Sequence, residues 1–401
     1  MLEPLPRLRM NLDFMPSPME DRPGLLIRDS YGYSDAVMVV PPALVACLEF
    51  FDGERTHSDL REFLVRLTGE LNISPVIDHL QQTLSSAGFL DDEVYARLRE
   101  ERLRDFYDSA VRVPTHAGSA YPGEEEDLRA TFAEYLRGGA AQNGNLIGIA
   151  APHVSPFGGW QTYRSAYGGL SDAYRDRTFV VLGTSHYGEP DRFGLTRKPF
   201  ATPYGTTRTA SRLIDELETQ PAVLMEDYCH AIEHSIEFQV VFLQHLYGPE
   251  IEILPILCGS FARSILMGGL PEDSEPVKRF FGALGEMSAR EGDRLHWVLG
   301  IDMAHMGARY GDDFEARAGQ GEMVEVEQRD RRRIERVIAG DASGFWEQVQ
   351  ENQDDLKWCG SSPVYTFMKA HPGVKGSLNG YEQWNIDECS VVSFAALSFE
   401  K

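Results

Sequence analysis

The 401-residue chain has no run of 18 or more apolar residues, so we expect no membrane-spanning helix. The first residues also lack the apolar core and small residues of a secretory signal, and none is expected. Basic residues are in the minority, because 38 Lys and Arg stand against 62 Asp and Glu, a formal net charge of -24. This charge excludes broad non-specific binding to nucleic acid or anionic membranes, which needs basic patches.

Cysteine is also scarce. No two cysteines have CxxC spacing, and their number is odd. In a chain without an expected secretion signal this pattern predicts reduced thiols and a cytoplasmic location. Most of these cysteines should be buried as small apolar residues. The five are Cys47, Cys229, Cys258, Cys359 and Cys389.

Several common catalytic motifs are missing. The chain has no Walker loop and no GxGxxG, and no GxSxG surrounds Ser185, so neither a nucleotide fold nor a serine hydrolase is favoured. What remains is a chain that is 42% hydrophobic and long enough for two domains. A large buried core is therefore expected.

The pattern of apolar residues predicts two domains. Residues 1–105 form a small α+β domain with strands at 25–29 and 36–40, followed by three helices, the second capped by Thr56 or Ser58. A charged helix at 93–107 leads into the second domain. Residues 106–401 alternate strands with helices, which predicts a three-layer α/β/α domain. The first domain has no cluster of metal-ligating or nucleophilic residues, which favours an accessory docking role.

Three apolar runs in the second domain end in polar side chains. The runs at 146–153 and 179–186 end in His153 and His186, and the run at 296–305 ends in Asp302 and His305. Ligands of open α/β sheets bind beyond the carboxyl ends of the strands, so we expect a convergent site there. The two histidine strands are separated by one crossover and are expected to be neighbours.

Two imidazoles at strand ends indicate a site for iron, copper or zinc, which needs a third ligand. Four candidates remain open: Cys359, Asp302, Glu237 and His305. Cys359 precedes a predicted helix whose N-terminus would favour a thiolate, although a free buried cysteine explains it equally well. Asp302 and His305 suit an acid/base pair beside a metal, or Asp302 is a helix cap.

His234 and Glu237 lie three residues apart at the start of a predicted helix. Glu233 and Glu237 would repel each other across one helical turn unless a cation or a donor compensates. A solvated acidic first turn, which the helix dipole favours, explains the same residues without a site.

Nine short motifs in the second domain match one known family in the same order, and the domain resembles the Memo family, known in prokaryotes as AmmeMemoRadiSam system protein B. The match extends over residues 116–396. The motifs are HAGSAYP at 116–122, APH at 151–153, LGTSH at 182–186, TPYG at 202–205, EHSIE at 233–237, ILPI at 253–256, DMAH at 302–305, CG at 359–360 and VVSFAA at 391–396.

This resemblance implies a fold like that of the class III extradiol dioxygenases. It also implies an Fe(II) or copper site made by His153, His186 and Cys359, with Asp302 and His305 in the segment that carries an acid/base histidine. The implied function is a dioxygenase-like, metal-dependent oxidoreductase. Cysteine stands where those dioxygenases use a carboxylate, and a thiolate favours softer ions. Whether the chain is an enzyme stays open at this stage.

The first domain resembles PqqD-like winged-helix modules over about 70 residues, through the order strand, strand, helix, DGERT at 52–56, helix, helix and GFL at 88–90. Such modules bind peptides or sit beside radical-SAM enzymes. The resemblance implies an alternative function, a non-catalytic component of a radical-SAM-linked system that binds a peptide or a partner. The implied partners are radical-SAM and AMMECR-type proteins.

Overall fold

The computed structural model describes residues 4–19, 21–139 and 146–400. Two compact units make up the chain, Met1–Ser109 and Ala110–Lys401. Each unit has hydrophobic clusters of its own. Among the described residues, no helix has both the length and the apolar character needed to cross a membrane.

The first unit is a three-stranded antiparallel sheet with four helices, and its strands pair in the order β1-β2-β3. Strand β1 was not predicted from the sequence. Thr56 caps α2 as expected, through a reciprocal pair of hydrogen bonds with Asp59. The elements are β1 (Leu12–Pro16), β2 (Leu25–Asp29), β3 (Val37–Val40), α1 (Pro42–Val45), α2 (His57–Thr68), α3 (Ser74–Ser86) and α4 (Glu93–Asp108).

The second unit contains a large mixed sheet and helices on both of its faces. Its helices are α5 (Glu125–Tyr135), α6 (Pro156–Tyr167), α7 (Ser211–Leu217), α8 (Cys229–Ile232), α9 (Glu237–Tyr247), α10 (Ala262–Met267), α11 (Glu275–Glu291), α12 (Glu322–Ile338), α13 (Ala342–Gln350) and α14 (Ser361–Ala370). Its strands are β4 (Leu146–Ala151), β5 (Thr178–Thr184), β6 (Phe193–Leu195), β7 (Ala201–Thr202), β8 (Gly205–Thr206), β9 (Arg208–Thr209), β10 (Val223–Met225), β11 (Glu252–Cys258), β12 (Leu295–Gly300), β13 (His305–Gly307), β14 (Lys375–Asp387) and β15 (Ser390–Glu400).

The strands of this sheet follow the order β10-β6-β11-β5-β12-β4-β15-β13, with β14 paired to β15 and β9 to β11. The four central strands, β11, β5, β12 and β4, run parallel. Strand β15 runs antiparallel to β4 and closes that side of the parallel core. The carboxyl ends of the central strands therefore meet at one edge of the sheet.

Successive residues of the central strands enter different hydrophobic clusters. On β5, Phe179 and Val181 pack with residues of α6 and α9, whereas Val180 and Leu182 pack with residues of α11 and α14. Side chains alternate across a strand, so the two clusters lie on opposite faces of the sheet. The predicted three-layer α/β/α architecture is confirmed.

One expectation about strand order is wrong. Strands β4 and β5, which carry the two histidines, are not neighbours, because β12 lies between them. Gly300 at the end of β12 is in register with Gly183 of β5 on one side and with Ala151 of β4 on the other. The segment that contains Asp302 therefore leaves the sheet between the two histidine segments.

Candidate metal centre

His153 follows β4, and two of its own atoms and the carbonyl before it are held by hydrogen bonds. Its backbone N–H donates to Asp302 Oδ1 at 2.9 Å, and its ring Nδ1–H donates to the Gly300 carbonyl at 2.9 Å. The preceding Pro152 carbonyl accepts a hydrogen bond from Gln239 at 2.8 Å. Burial and the neighbouring His186 lower the pKa of His153 to about 3, so its imidazole is neutral. The lone pair of Nε2 faces the Cys359 sulfur at 3.2 Å.

His186 follows β5 and is oriented by Glu233. The carboxylate accepts the backbone N–H of His186 at 2.6 Å and the ring Nδ1–H at 3.1 Å. Burial opposes protonation of His186, but Glu233 and Cys359 raise its pKa well above the usual value. Burial likewise opposes ionisation of Glu233, yet His186 lowers the pKa of this carboxyl to about 2. Such a carboxylate–imidazole pair is a common support for a metal-ligating histidine.

The Cys359 thiol lies beside the His153 imidazole. Its Sγ is 3.2 Å from His153 Nε2, and the thiol contributes to the raised pKa of His186. The Cys359 carbonyl accepts a hydrogen bond from Thr184 at 3.0 Å, which ties this segment to the end of β5. Burial raises the pKa of the thiol, which opposes the thiolate-favouring effect expected from the start of α14. A bound cation would reverse this shift.

Asp302 lies on the loop between β12 and β13, and His305 is the first residue of β13. Burial raises the pKa of Asp302 to about 6, against the lowering effect of His305 and of the His153 N–H. His305 donates its Nδ1–H to the carbonyls of Met303 at 2.8 Å and Lys357 at 3.2 Å, which leaves Nε2 free. His305 begins a strand and not a helix, so the interpretation of Asp302 as a helix cap is wrong.

Glu237 cannot serve as the third ligand. It is completely buried and forms an ion pair with Arg112. It also accepts hydrogen bonds from the Tyr121 hydroxyl at 2.5 Å and from the His116 backbone N–H at 3.0 Å. Because Glu233 is only 1% exposed, the alternative of a solvated acidic turn is also wrong. Each carboxylate has a separate partner, which removes the predicted repulsion.

His234 belongs to the cluster, although it was not predicted as a ligand from the sequence. Its ring centroid lies 5.1 Å from that of His153 and 5.0 Å from that of His186, on which it stacks at 9°. One ring nitrogen from each of these three histidines lies within 4.8 Å of the others. Three imidazoles at this spacing could hold a metal ion. The EHSIE motif at 233–237 is the sequence feature that could have identified His234 as a ligand candidate.

Two glycines allow His234 to approach the strand ends. A Cβ on Gly300 would lie 2.1 Å from the Ser235 carbonyl oxygen, and one on Gly183 would lie 2.5 Å from Ser235 Oγ. The Ser235 hydroxyl donates to the Thr184 carbonyl at 2.8 Å. The segment before α9 thus crosses directly against β5 and β12, which places Glu233 and His234 beside the other ligand candidates.

The fold and the site define a class of α/β protein in which imidazoles and a thiol converge beyond the carboxyl ends of parallel strands. The profile of the family described as Memo-like protein matches residues 112–398, and the chain belongs to this family. The match contains all nine sequence motifs and every site residue described above. Residues before 112, which include the whole first unit, lie outside it.

Curated relatives carry the name MEMO1 family protein. The relative from Aquifex aeolicus is 26% identical over 292 residues, which cover 72% of this chain and 73% of the relative. That from Thermococcus kodakarensis is 28% identical over 265 residues, 64% of this chain and 86% of the relative. That from Methanosarcina acetivorans is 23% identical over 296 residues, 72% of this chain and 99% of the relative.

Proposed function

We propose that this protein binds one Fe(II) or copper ion through His153, His186 and Cys359 and uses it in oxidation–reduction chemistry. The observation that carries the proposal is the orientation of the two imidazoles. Each Nδ1–H donates to a protein acceptor, the Gly300 carbonyl or Glu233, so each Nε2 is the ring nitrogen that would bind a metal, replacing the thiol contact at His153 and a proton at His186. The Cys359 sulfur lies 3.2 Å from His153 Nε2, so it is available as the third donor beside the two imidazoles.

A bound ion of this kind supplies one-electron chemistry and open coordination positions for a small molecule. The side chains around the ion would position its ligands and transfer protons. Asp302 fixes the main chain of His153, and it lies 3.6 Å from the Nε2 of that ring. In this proposal His305 Nε2 accepts or donates a proton during turnover, which is supported by the two carbonyls that hold its Nδ1–H.

The alternative is a non-catalytic, peptide- or partner-binding component of a radical-SAM-linked system. The first unit favours it, because this unit has its own hydrophobic cluster and lies outside the family match. In this alternative the first unit docks a radical-SAM or AMMECR-type partner in the cytoplasm. The five cysteines are free thiols, as a reducing compartment requires.

The test is the metal content of protein purified without oxygen, measured by mass spectrometry. We compare the wild type with His186→Ala and with a control, His57→Ala, whose partly exposed ring pairs with Asp78 in the first unit. About one iron or copper ion per chain, lost only from His186→Ala, is the expected result. Metal-free protein in all three cases, even after reconstitution, would overturn the proposal and leave the partner-binding alternative. If the metal is bound as expected, oxygen consumption in the presence of catechols and peptides tests whether the protein turns over a substrate.

A further inference from the structure

We propose that His234 is a metal ligand that substitutes for Cys359, so that the centre contains two overlapping donor sets. One set is His153, His186 and Cys359, and the other is His153, His186 and His234. This inference rests on the proposed function for its two shared ligands. It goes further by assigning His234 as a ligand and by predicting that different metal ions use different donor sets.

The spacing of the donors supports the second set. The ligand nitrogens of the three histidines lie within 4.8 Å of one another, and both ring centroids that face His234 lie about 5 Å away. The two exchangeable ligands come from different segments, since His234 precedes α9 and Cys359 precedes α14. Movement of one segment therefore leaves the other donor in place.

The environment of His234 leaves its ring able to turn. Its Nδ1 lies 3.9 Å from Glu233 Oε2, which is too long for a hydrogen bond. Its other close neighbours include the rings of His116 at 5.6 Å and Phe238 at 5.4 Å. The side chain is 27% exposed, whereas that of His153 is 1% exposed. A partly exposed imidazole with a weak polar contact can reorient towards an ion at little cost.

The two sets differ in the ions they favour. A thiolate with two imidazoles suits a soft ion such as Cu(I), whereas three imidazoles suit Zn(II), Co(II) or Cu(II). Both sets keep His153 and His186, whose Nδ1–H groups are held by fixed acceptors. The third ligand thus decides which ion the centre retains.

The experiment is a Co(II) titration of the metal-free full-length protein, followed by absorption spectroscopy. A thiolate ligand gives a near-ultraviolet charge-transfer band, and the visible bands report the remaining ligand field. The variants are Cys359→Ala, His234→Phe, the double variant and the control His57→Phe. Phenylalanine keeps a ring that can stack on His186, and circular dichroism confirms that each variant is folded.

We expect Cys359→Ala to bind Co(II) without the thiolate band, and His234→Phe to keep that band. Adding His234→Phe to Cys359→Ala should weaken Co(II) binding by at least roughly tenfold, as loss of a ligand does. In parallel, Cu(I) competition with a chelator should show that Cys359→Ala weakens Cu(I) binding more than Zn(II) binding. His57→Phe should match the wild type in both measurements.

Four results would overturn this inference. If Cys359→Ala fails to bind Co(II), or if His234→Phe has no effect on binding by Cys359→Ala, His234 is not a ligand. In either case the thiolate band of the wild type would still support the proposed function. Binding by the wild type without that band would instead refute the Cys359 ligand, and with it the exchange. Absence of binding by every variant and by the wild type would refute both proposals.

Discussion

Replacement of Asp330 should disturb the metal centre from a distance. This carboxylate lies on α12, is completely buried, and accepts three hydrogen bonds. Its Oδ1 accepts the Trp358 indole N–H at 2.6 Å, and its Oδ2 accepts the hydroxyls of Tyr381 at 2.8 Å and Ser393 at 2.6 Å. Trp358 directly precedes Cys359, so the first of these bonds positions the thiol segment.

The hydrogen bond between Asp330 and Ser393 links Asp330 to the segment that contains Asp302 and His305. Ser393 Oγ accepts the backbone N–H of Ala304 at 2.9 Å, and the backbone of Ser393 exchanges further hydrogen bonds with Met303 and Ala304. These residues lie between Asp302 and His305. One buried carboxylate therefore connects the segment that carries Cys359 with the segment that carries Asp302 and His305.

The loss of unfolding free energy depends on which residue replaces Asp330. Asp330→Leu leaves three buried donors without an acceptor, at about 1–3 kcal/mol for the indole N–H and somewhat less for each rotatable hydroxyl. The total is about 3–6 kcal/mol of unfolding free energy. Asp330→Asn keeps an oxygen for Trp358 and turns its amide towards hydroxyl oxygens that can accept. Its cost should be about 1–2 kcal/mol.

The assay is urea unfolding together with metal affinity measured on the folded protein. The control is Asp341→Ala, which removes the cap of α13 and should cost about 1 kcal/mol without a change in metal binding. Asp330→Asn should destabilise the protein to a similar degree but also weaken metal binding. This prediction is refuted if Asp330→Leu lowers the unfolding free energy no more than Asp330→Asn does. It is also refuted if Asp341→Ala changes the metal affinity as much as Asp330→Asn does.

Three further predictions concern other parts of the molecule. Glu237→Gln leaves the Arg112 charge buried and should cost about 3–5 kcal/mol in urea unfolding, whereas less than 1 kcal/mol would contradict the pairing. Deletion of residues 1–109 should leave the metal stoichiometry unchanged because that unit has its own hydrophobic cluster, and loss of metal from a folded 110–401 chain would show that the centre depends on it. His371 accepts a hydrogen bond from Ser288, and burial lowers its pKa to about 4. Since this folded-state pKa is below the unfolded value, its contribution is complete above about pH 6.5 and is lost as the pH falls towards 4. The wild type should therefore lose up to about 2 kcal/mol more stability than His371→Phe between pH 7 and pH 5, and equal losses would contradict the shift.

The parts of the centre that follow from local sequence were predictable. His153, His186 and Asp302 each follow an apolar run, and buried parallel strands produce such runs because both of their faces are covered. The position of these side chains beyond the carboxyl ends follows from the fold class alone. Strand order did not follow, because β12 enters the sheet between strands that precede it in the chain.

His234 and β14 show why the rest was hidden. The place of His234 depends on contacts of Ser235 with Gly183 and Gly300, which are far apart in sequence. Strand β14 is largely polar, and it pairs only with β15 among the described strands, whose residues are almost all buried. A strand beside a well-covered neighbour needs few apolar residues of its own. Apolar periodicity therefore could not reveal it.

The segment before Cys359 has a backbone conformation that no sequence motif announces. Gln353 and Lys357 have φ values of 57° and 55°, a region that costs residues of these types of order 1–3 kcal/mol each. Tertiary contacts maintain the segment: Arg333 pairs with Asp354, and Asp354 accepts the Trp358 N–H. The same segment holds His305, which donates its backbone N–H to the carbonyl of residue 356 and its ring N–H to that of Lys357. Cys359 and His305 are thus placed by one strained stretch of chain, so a change that relaxes it should move both together.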